Sequence, residues 1–154
     1  MIQAHRNSGF SLVELLVVLV IVVLAVAVVP PLFMGVGSTA ELRGAARQLA
    51  AGLRSVRSHA VLKQSPATLT VDLEARHFRV SSNNRSISLP TDVAVKLYTA
   101  QSELLNESSG NIRFFPDGSS TGGHITLANE RLEYTVNVDW LTGRIGIDEQ
   151  SVQR

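Results

Sequence analysis

FSLVELLVVLVIVVLAVAVV, Phe10–Val29, is an apolar run broken by one acid, Glu14, and followed directly by Pro30 and Pro31. As a helix rising ~1.5 Å per residue, its 20 residues would cross the ~30 Å hydrocarbon core of a bilayer. We read residues 10–29 as a transmembrane helix. The acid does not prevent that reading. The run holds 16 Leu, Ile, Val or Phe residues, together about −5 to −10 kcal/mol of insertion energy against about +2.5 to +3.5 for one central acid. It is nonetheless a costly residue where any apolar one would serve, and an ionisable group inside a membrane helix points to a function and a partner. The nearest cation that could serve is a free amine at residue 10, which exists only if the peptide bond after Gly9 is cut.

A short basic leader, residues 1–9, precedes the run and ends at Gly9. Gly9-Phe10-Ser11-Leu12-Val13-Glu14, continuing as Leu15 to Ile21, resembles the class III signal of type IV pilins and type II secretion pseudopilins. The resemblance implies that a prepilin peptidase cleaves after Gly9 on the cytoplasmic side, that the new terminal Phe10 is N-methylated, and that Glu14 guides assembly. Two plainer readings compete. A secretory signal peptide could be cut at Ala25-Val26-Ala27, but the apolar run exceeds the usual ~7 to 15 residues and a signal core has no need of an acid. An ordinary anchor explains the length but neither Glu14 nor the Gly9-Phe10 junction.

Of the 154 residues, those beyond the leader and span suffice for one small domain with its own core. The net charge of +1 and the 18% charged residues do not point to nucleic acid as the main partner. There is no Cys, so an exported domain is held by its core without disulfides, and thiolate metal sites are excluded.

Past Pro31 the spacing predicts a second helix, from about Ser38 to Gln64. Leu42, Ala46, Leu49, Leu53, Val56 and Ala60 recur at intervals of four and three, which puts them on one helical face. Ser38 with Glu41 fits a capping box, and Ser65-Pro66 fits a stop. Pro30, Pro31, Gly35 and Gly37 are expected to kink or locally melt a helix running from the membrane into the domain, residues 30–66 forming its continuation. The opposite face carries Arg43, Arg47, Arg54 and Arg57, with Lys63 beyond. These could be a solvated face whose stems cover apolar surface, or a stripe for a protein or acidic partner; with no interleaved aromatic, nothing there stacks on bases.

From Ala67 the period changes to two. Strands are predicted at Ala67–Leu73, His77–Val80, Ser86–Leu89, Val93–Tyr98, Ile112–Phe115, His124–Leu127, Leu132–Trp140 and Arg144–Ile147, separated by turn-rich pieces such as Asn106–Gly110 and Asp117–Gly123. Antiparallel sheets with one face covered by the Leu42–Ala60 stripe follow: an α+β fold, with residues 67–154 its β-rich part.

Phe114-Phe115-Pro116-Asp117-Gly118-Ser119-Ser120-Thr121-Gly122-Gly123 and Val138-Asp139-Trp140-Leu141-Thr142-Gly143-Arg144 resemble the GspH/FimT family of minor pseudopilins and minor pilins, as do Arg57, Ser58 and Ala60 within Leu53–Ala60. His59, where relatives often carry an acid, and the doubled Pro30-Pro31 depart from its pattern. The resemblance implies a pilin-like fold and a non-enzymatic subunit of a type II secretion system, joined near the tip of the periplasmic pseudopilus that pushes folded exoproteins across the outer membrane. It also implies a single-pass inner-membrane protein with its C-terminal domain in the periplasm. Its partners would be the prepilin peptidase, the other minor pseudopilins and the major pseudopilin, with no small-molecule substrate, cofactor or metal, and nucleic acid not expected. The alternative is a type IV minor pilin of the FimT/FimU kind, acting in pilus-tip assembly or DNA uptake.

Gly118-Ser119-Ser120-Thr121-Gly122 also matches G-x-S-x-G, which would suggest a hydrolase. A nucleophile elbow needs a helix after it, however, and His124–Leu127 alternates like a strand, so a glycine-rich hairpin loop is expected. His5, His59, His77 and His124 lack metal-ligand spacing. Asn84-Arg85-Ser86 and Asn106-Glu107-Ser108 read as loop chemistry rather than glycosylation sites.

Overall fold

The computed structural model describes residues 12–152 apart from residue 83, and their side chains apart from residues 25–38. The chain divides after Gly37 into two compact units, Met1–Gly37 and Ser38–Arg154. Helix α1, Leu12–Lys63, provides all the described structure of the first and opens the second. Its backbone is helical through Pro30, Pro31, Gly35 and Gly37, so the expected local melting is not observed there. For the same reason Ser38 opens no helix of its own, as the capping-box reading required; it lies inside α1. The stop is where it was expected. Gln64 takes a left-handed φ of 49° and the Ser65 amide donates back to the Ala60 carbonyl at 3.3 Å, a C-cap that Pro66 prevents from continuing.

In the first unit the side chains of residues 12–24 are all exposed. Among the described residues no helix is long and apolar enough to cross a membrane. The run read as a span covers residues 10–29, of which 10, 11 and the side chains of 25–29 lie outside the described set.

The second unit has eight strands in two four-stranded antiparallel sheets. They are β1 (Ala67–Asp72), β2 (His77–Val80), β3 (Arg85–Ser88), β4 (Ala94–Thr99), β5 (Ser109–Phe114), β6 (Gly123–Ala128), β7 (Leu132–Val138) and β8 (Ile145–Ser151). The sheet orders are β3-β2-β1-β5 and β4-β6-β7-β8. All eight predicted strands are present, most displaced by a residue or two at an end. Three strand bounds differ for definite reasons, the first being β8, which runs past Ile147 to Ser151 because it pairs with β7 as far as Leu132. Ser109 and Gly110 enter β5 because they pair with Asp72 and Val71 of β1. Asp139 and Trp140 leave β7 for a turn closed by the Gly143 amide on the Asp139 carbonyl at 2.9 Å. A short 3-10 helix, Gln101–Glu103, lies between β4 and β5, where the sequence pattern assigned no element; it is pinned by Arg113, which meets the buried Glu103 carboxylate through Nε at 2.8 Å and Nη2 at 3.1 Å. The paired geometry is what lets the acid be buried.

Period-two burial in β1, β2 and β4 and along most of β5 and β7 meets period-3.6 burial in α1 in one core; β6 is buried through Ile125, Thr126 and Leu127 in succession, and β8 is exposed along its C-terminal half. Leu42, Ala46, Leu49, Leu53, Val56 and Ala60 are all fully buried, with Leu69, Val71, Phe78, Ile112 and Phe114 from the first sheet and Ile125, Leu127 and Val136 from the second. Gly52 sets how near α1 comes to the first sheet, since a Cβ there would lie 3.0 Å from the Phe78 ring and 3.2 Å from Leu69. The connection between β5 and β6 is not a hairpin, as the glycine-rich sequence suggested. It carries the chain from one sheet to the other, so residues 115–122 lie at a junction between sheets.

Candidate functional site

Gly9 and Phe10 lie outside the described residues. Glu14 lies in the first turn of α1, exposed, among exposed neighbours that include Leu15, Val17 and Val18.

The three sequence blocks that carry the family resemblance come together at Arg57. Its Nε donates to the Gly118 carbonyl at 3.2 Å and its Nη2 to the Thr142 carbonyl at 3.0 Å, so one guanidinium joins α1, the 115–122 junction and the 139–144 turn. Gly143 closes the contact. With φ of +61° and an ideal Cβ that would lie 2.1 Å from the Gly118 oxygen and 2.9 Å from Arg57 Nε, only glycine fits there. Each loop is also tied within itself. Asp139 Oδ1 accepts the Thr142 amide at 2.8 Å and its hydroxyl at 2.7 Å, bonds that with nearby Arg144 hold the carboxyl below its ordinary value. Asp117 Oδ1 accepts the Ser119 hydroxyl at 2.6 Å and amide at 2.9 Å, and is lowered for that reason.

The arginine face is thus split. Arg57 clamps the loops, and Arg43 reaches the second sheet, Nε donating to the Tyr134 hydroxyl at 3.2 Å and Nη2 meeting Glu149 at 3.3 Å. A wholly solvated face is therefore corrected for the half-buried Arg57, because loop carbonyls lie within reach of its long stem; Arg43 keeps its exposure while bonding the sheet, and Arg47, Arg54 and Lys63 are exposed. The sequence carried no signal for these pairings, whose partners lie 61 to 106 residues away.

The G-x-S-x-G serines are turn-holding groups. Ser120 is buried, donates to the Arg113 carbonyl at 2.7 Å and accepts the Gly122 amide at 3.1 Å, and strand β6 follows rather than a helix. His59, His77 and His124 lie on α1, β2 and β6, and His124 stacks on Tyr98 with ring centroids 4.5 Å apart. Among the described residues no group of three His, Cys, Asp or Glu side chains could hold a metal ion. Asn106 Oδ1 accepts from the Ser108 amide and from the Ser108 and Ser109 hydroxyls, which is loop chemistry as read.

The family model described as type II transport protein GspH matches residues 45–143, which contain the Arg57 junction, both loops and most of the core. The chain belongs to the GspH family. The prokaryotic N-terminal methylation motif matches residues 4–30, spanning Gly9, Phe10 and Glu14. The chain is 31% identical over 141 residues to a protein of Xanthomonas campestris pv. campestris named type II secretion system protein H, a match covering 92% of this chain and 83% of that one. Among solved structures, the fold is similar to the type IV minor pilin FimU of Pseudomonas aeruginosa, with TM-score 0.56 and 15% identity over 75% of this chain and 96% of that one. It is also similar to the minor pseudopilin EpsH from the type 2 secretion system of Vibrio cholerae, with TM-score 0.54 and 11% identity over 70% of this chain and 95% of that one. At these identities the two structures speak for the fold alone.

Proposed function

We propose that the chain is a minor pseudopilin of a type II secretion system, incorporated near the tip of the periplasmic pseudopilus. The observation that carries this reading is the 31% identity, across 92% of the chain, to a type II secretion system protein H. The arrangement agrees with it: a rigid domain built on a helix, its conspicuous residues spent on joining loops rather than on a reactive centre. The subunit is non-enzymatic, held by one span in the inner membrane with its β-rich domain in the periplasm. Exposed Leu15, Leu16, Val18 and Leu19 on α1 support the span, since such a face is stable only in lipid or against other helices. Gly9 and Phe10 are the processing junction and Glu14 the assembly residue, in line with the methylation motif on residues 4–30. The prepilin peptidase and the other pseudopilins are its partners.

Two measurements test the proposal. Co-expression with a prepilin peptidase should remove residues 1–9 and leave N-methyl-Phe10, read by intact mass; a product beginning at Val28 would mean that signal peptidase had used Ala25-Val26-Ala27. In a secretion-competent strain lacking its own protein H subunit, the chain should restore export of folded exoproteins. Restored pilus function without restored secretion would favour the type IV minor pilin instead.

A further inference from the structure

The Arg57 junction fixes the 139–144 turn in place but leaves much of its surface unpartnered. Trp140 and Leu141, at the tip, are 65% and 63% exposed. Beside them a cleft between α1 and the turn is lined by Arg54, Arg57 and Arg144, with Asp139, Thr142 and Ile145. Three guanidinium groups face one carboxylate there, and that carboxylate already accepts the Thr142 amide and hydroxyl. Arg57 is spent on carbonyls, whereas Arg54 and Arg144 are exposed and, among the described residues, have no carboxylate within ion-pair distance. Exposed Trp and Leu beside exposed Arg54 and Arg144, whose charges exceed that of Asp139, on a turn already locked by hydrogen bonds, is the composition of a protein-binding hot spot and needs little further ordering to bind.

We infer that this cleft and turn form a docking surface for a carboxylate-bearing segment of another pseudopilin. Arg54 and Arg144 take the Asp or Glu side chain, and Trp140 and Leu141 pack on apolar surface next to it. The occupant must be acidic because the cleft carries surplus positive charge, and a guanidinium pair matches a carboxylate in geometry as well as sign. It is a protein rather than a nucleic acid because the few cations here fall short of the many phosphate contacts that bind a duplex, and Trp140 is a single aromatic on this turn where a single strand is held by successive stacking faces along a basic groove. The inference rests on the pseudopilin reading.

The test uses the full chain, expressed in cells with the complete set of pseudopilins and carrying a photo-crosslinking amino acid at Leu141 or, separately, at Val20 in the apolar part of α1. The residue-141 probe should crosslink another pseudopilin within a few residues of an Asp or Glu. The double change Arg54→Glu with Arg144→Glu should lower that crosslink about tenfold while the residue-20 crosslinks persist. The charge-keeping pair Arg54→Lys with Arg144→Lys should retain most of it and melt like the unmodified chain, while the Glu pair, which sets a second carboxylate beside Asp139, should still melt cooperatively. A residue-141 crosslink indifferent to charge reversal, or one to nucleic acid, lipid or a second copy of this chain, would overturn the docking inference and leave the pseudopilin reading standing. Failure of both probes to reach any pseudopilin in the unmodified chain would overturn the pseudopilin reading itself.

Discussion

At the scale of single residues, two kinds of acid behave differently. Glu14 is exposed in the apolar part of α1; if it pairs with the amine of a processed Phe10, in its own chain or a neighbour, its role is bought with insertion energy. Glu14→Leu should therefore ease membrane insertion and impair assembly, since removing one partner of a buried pair typically costs ~3 to 5 kcal/mol. Membrane fractionation, crosslinking to other pseudopilins and secretion would measure the two effects separately, and normal assembly of the Leu variant would refute the pairing. Asp117 and Asp139 serve turns instead. Both titrate below the ordinary value of 3.8, because amide and hydroxyl donors of Ser119 and Thr142 favour the charged form. A folded-state pKa below the unfolded one adds stability above the unfolded pKa, and that stability is lost as pH falls through the lower folded value. Thermal melts between about pH 5 and pH 2 should show this acid loss, with a shallower slope in Asp139→Asn, which keeps an acceptor but cannot take up the proton. Equal slopes would remove Asp139 from the account.

At the scale of elements, α1 does two jobs from two faces. Its buried stripe supplies core, and Leu53→Ala, at a fully buried site between the sheets and the helix, should cost about 2 to 5 kcal/mol in denaturant unfolding. Unchanged stability would mean that this face is not core. Its polar face supplies the clamp. Arg57→Ala releases the Gly118 and Thr142 carbonyls, for an expected loss of about 1 to 3 kcal/mol. Arg57→Lys should recover only part, because one ammonium does not reproduce a planar fork spanning two loops. A Lys variant as stable as the parent would show that charge alone is needed.

At the scale of the molecule, the stripe of α1 and the two sheets form one hydrophobic cluster, so the helical part beyond Gly37 belongs with the β-rich part rather than with the apolar run. A fragment covering residues 38–154 should fold and melt cooperatively. One beginning at Pro66 should not, since it leaves the inner faces of both sheets uncovered; a cooperative melt of the shorter fragment would show that the sheets are stable without the helix.

Local pattern determined much of this by itself. The period of 3.6 in Leu42–Ala60 and of two in strands such as β1, β2 and β7 marks residues that must share one face to leave water, which needs only the neighbouring sequence. The Gly9-Phe10 junction, Glu14 and the apolar run are likewise contiguous, so the motif was legible without coordinates. What only the tertiary structure decided are relations between distant segments: which sheet each strand joins, why β5 and β6 part company, and why Arg57 and Gly143 are the residues they are. The family resemblance singles out Arg57 but not its clamping role, because its acceptors are backbone carbonyls, 61 and 85 residues away, which no sequence pattern marks. Carbonyls become specific only when the fold presents them together, and that is a property of packing rather than of composition.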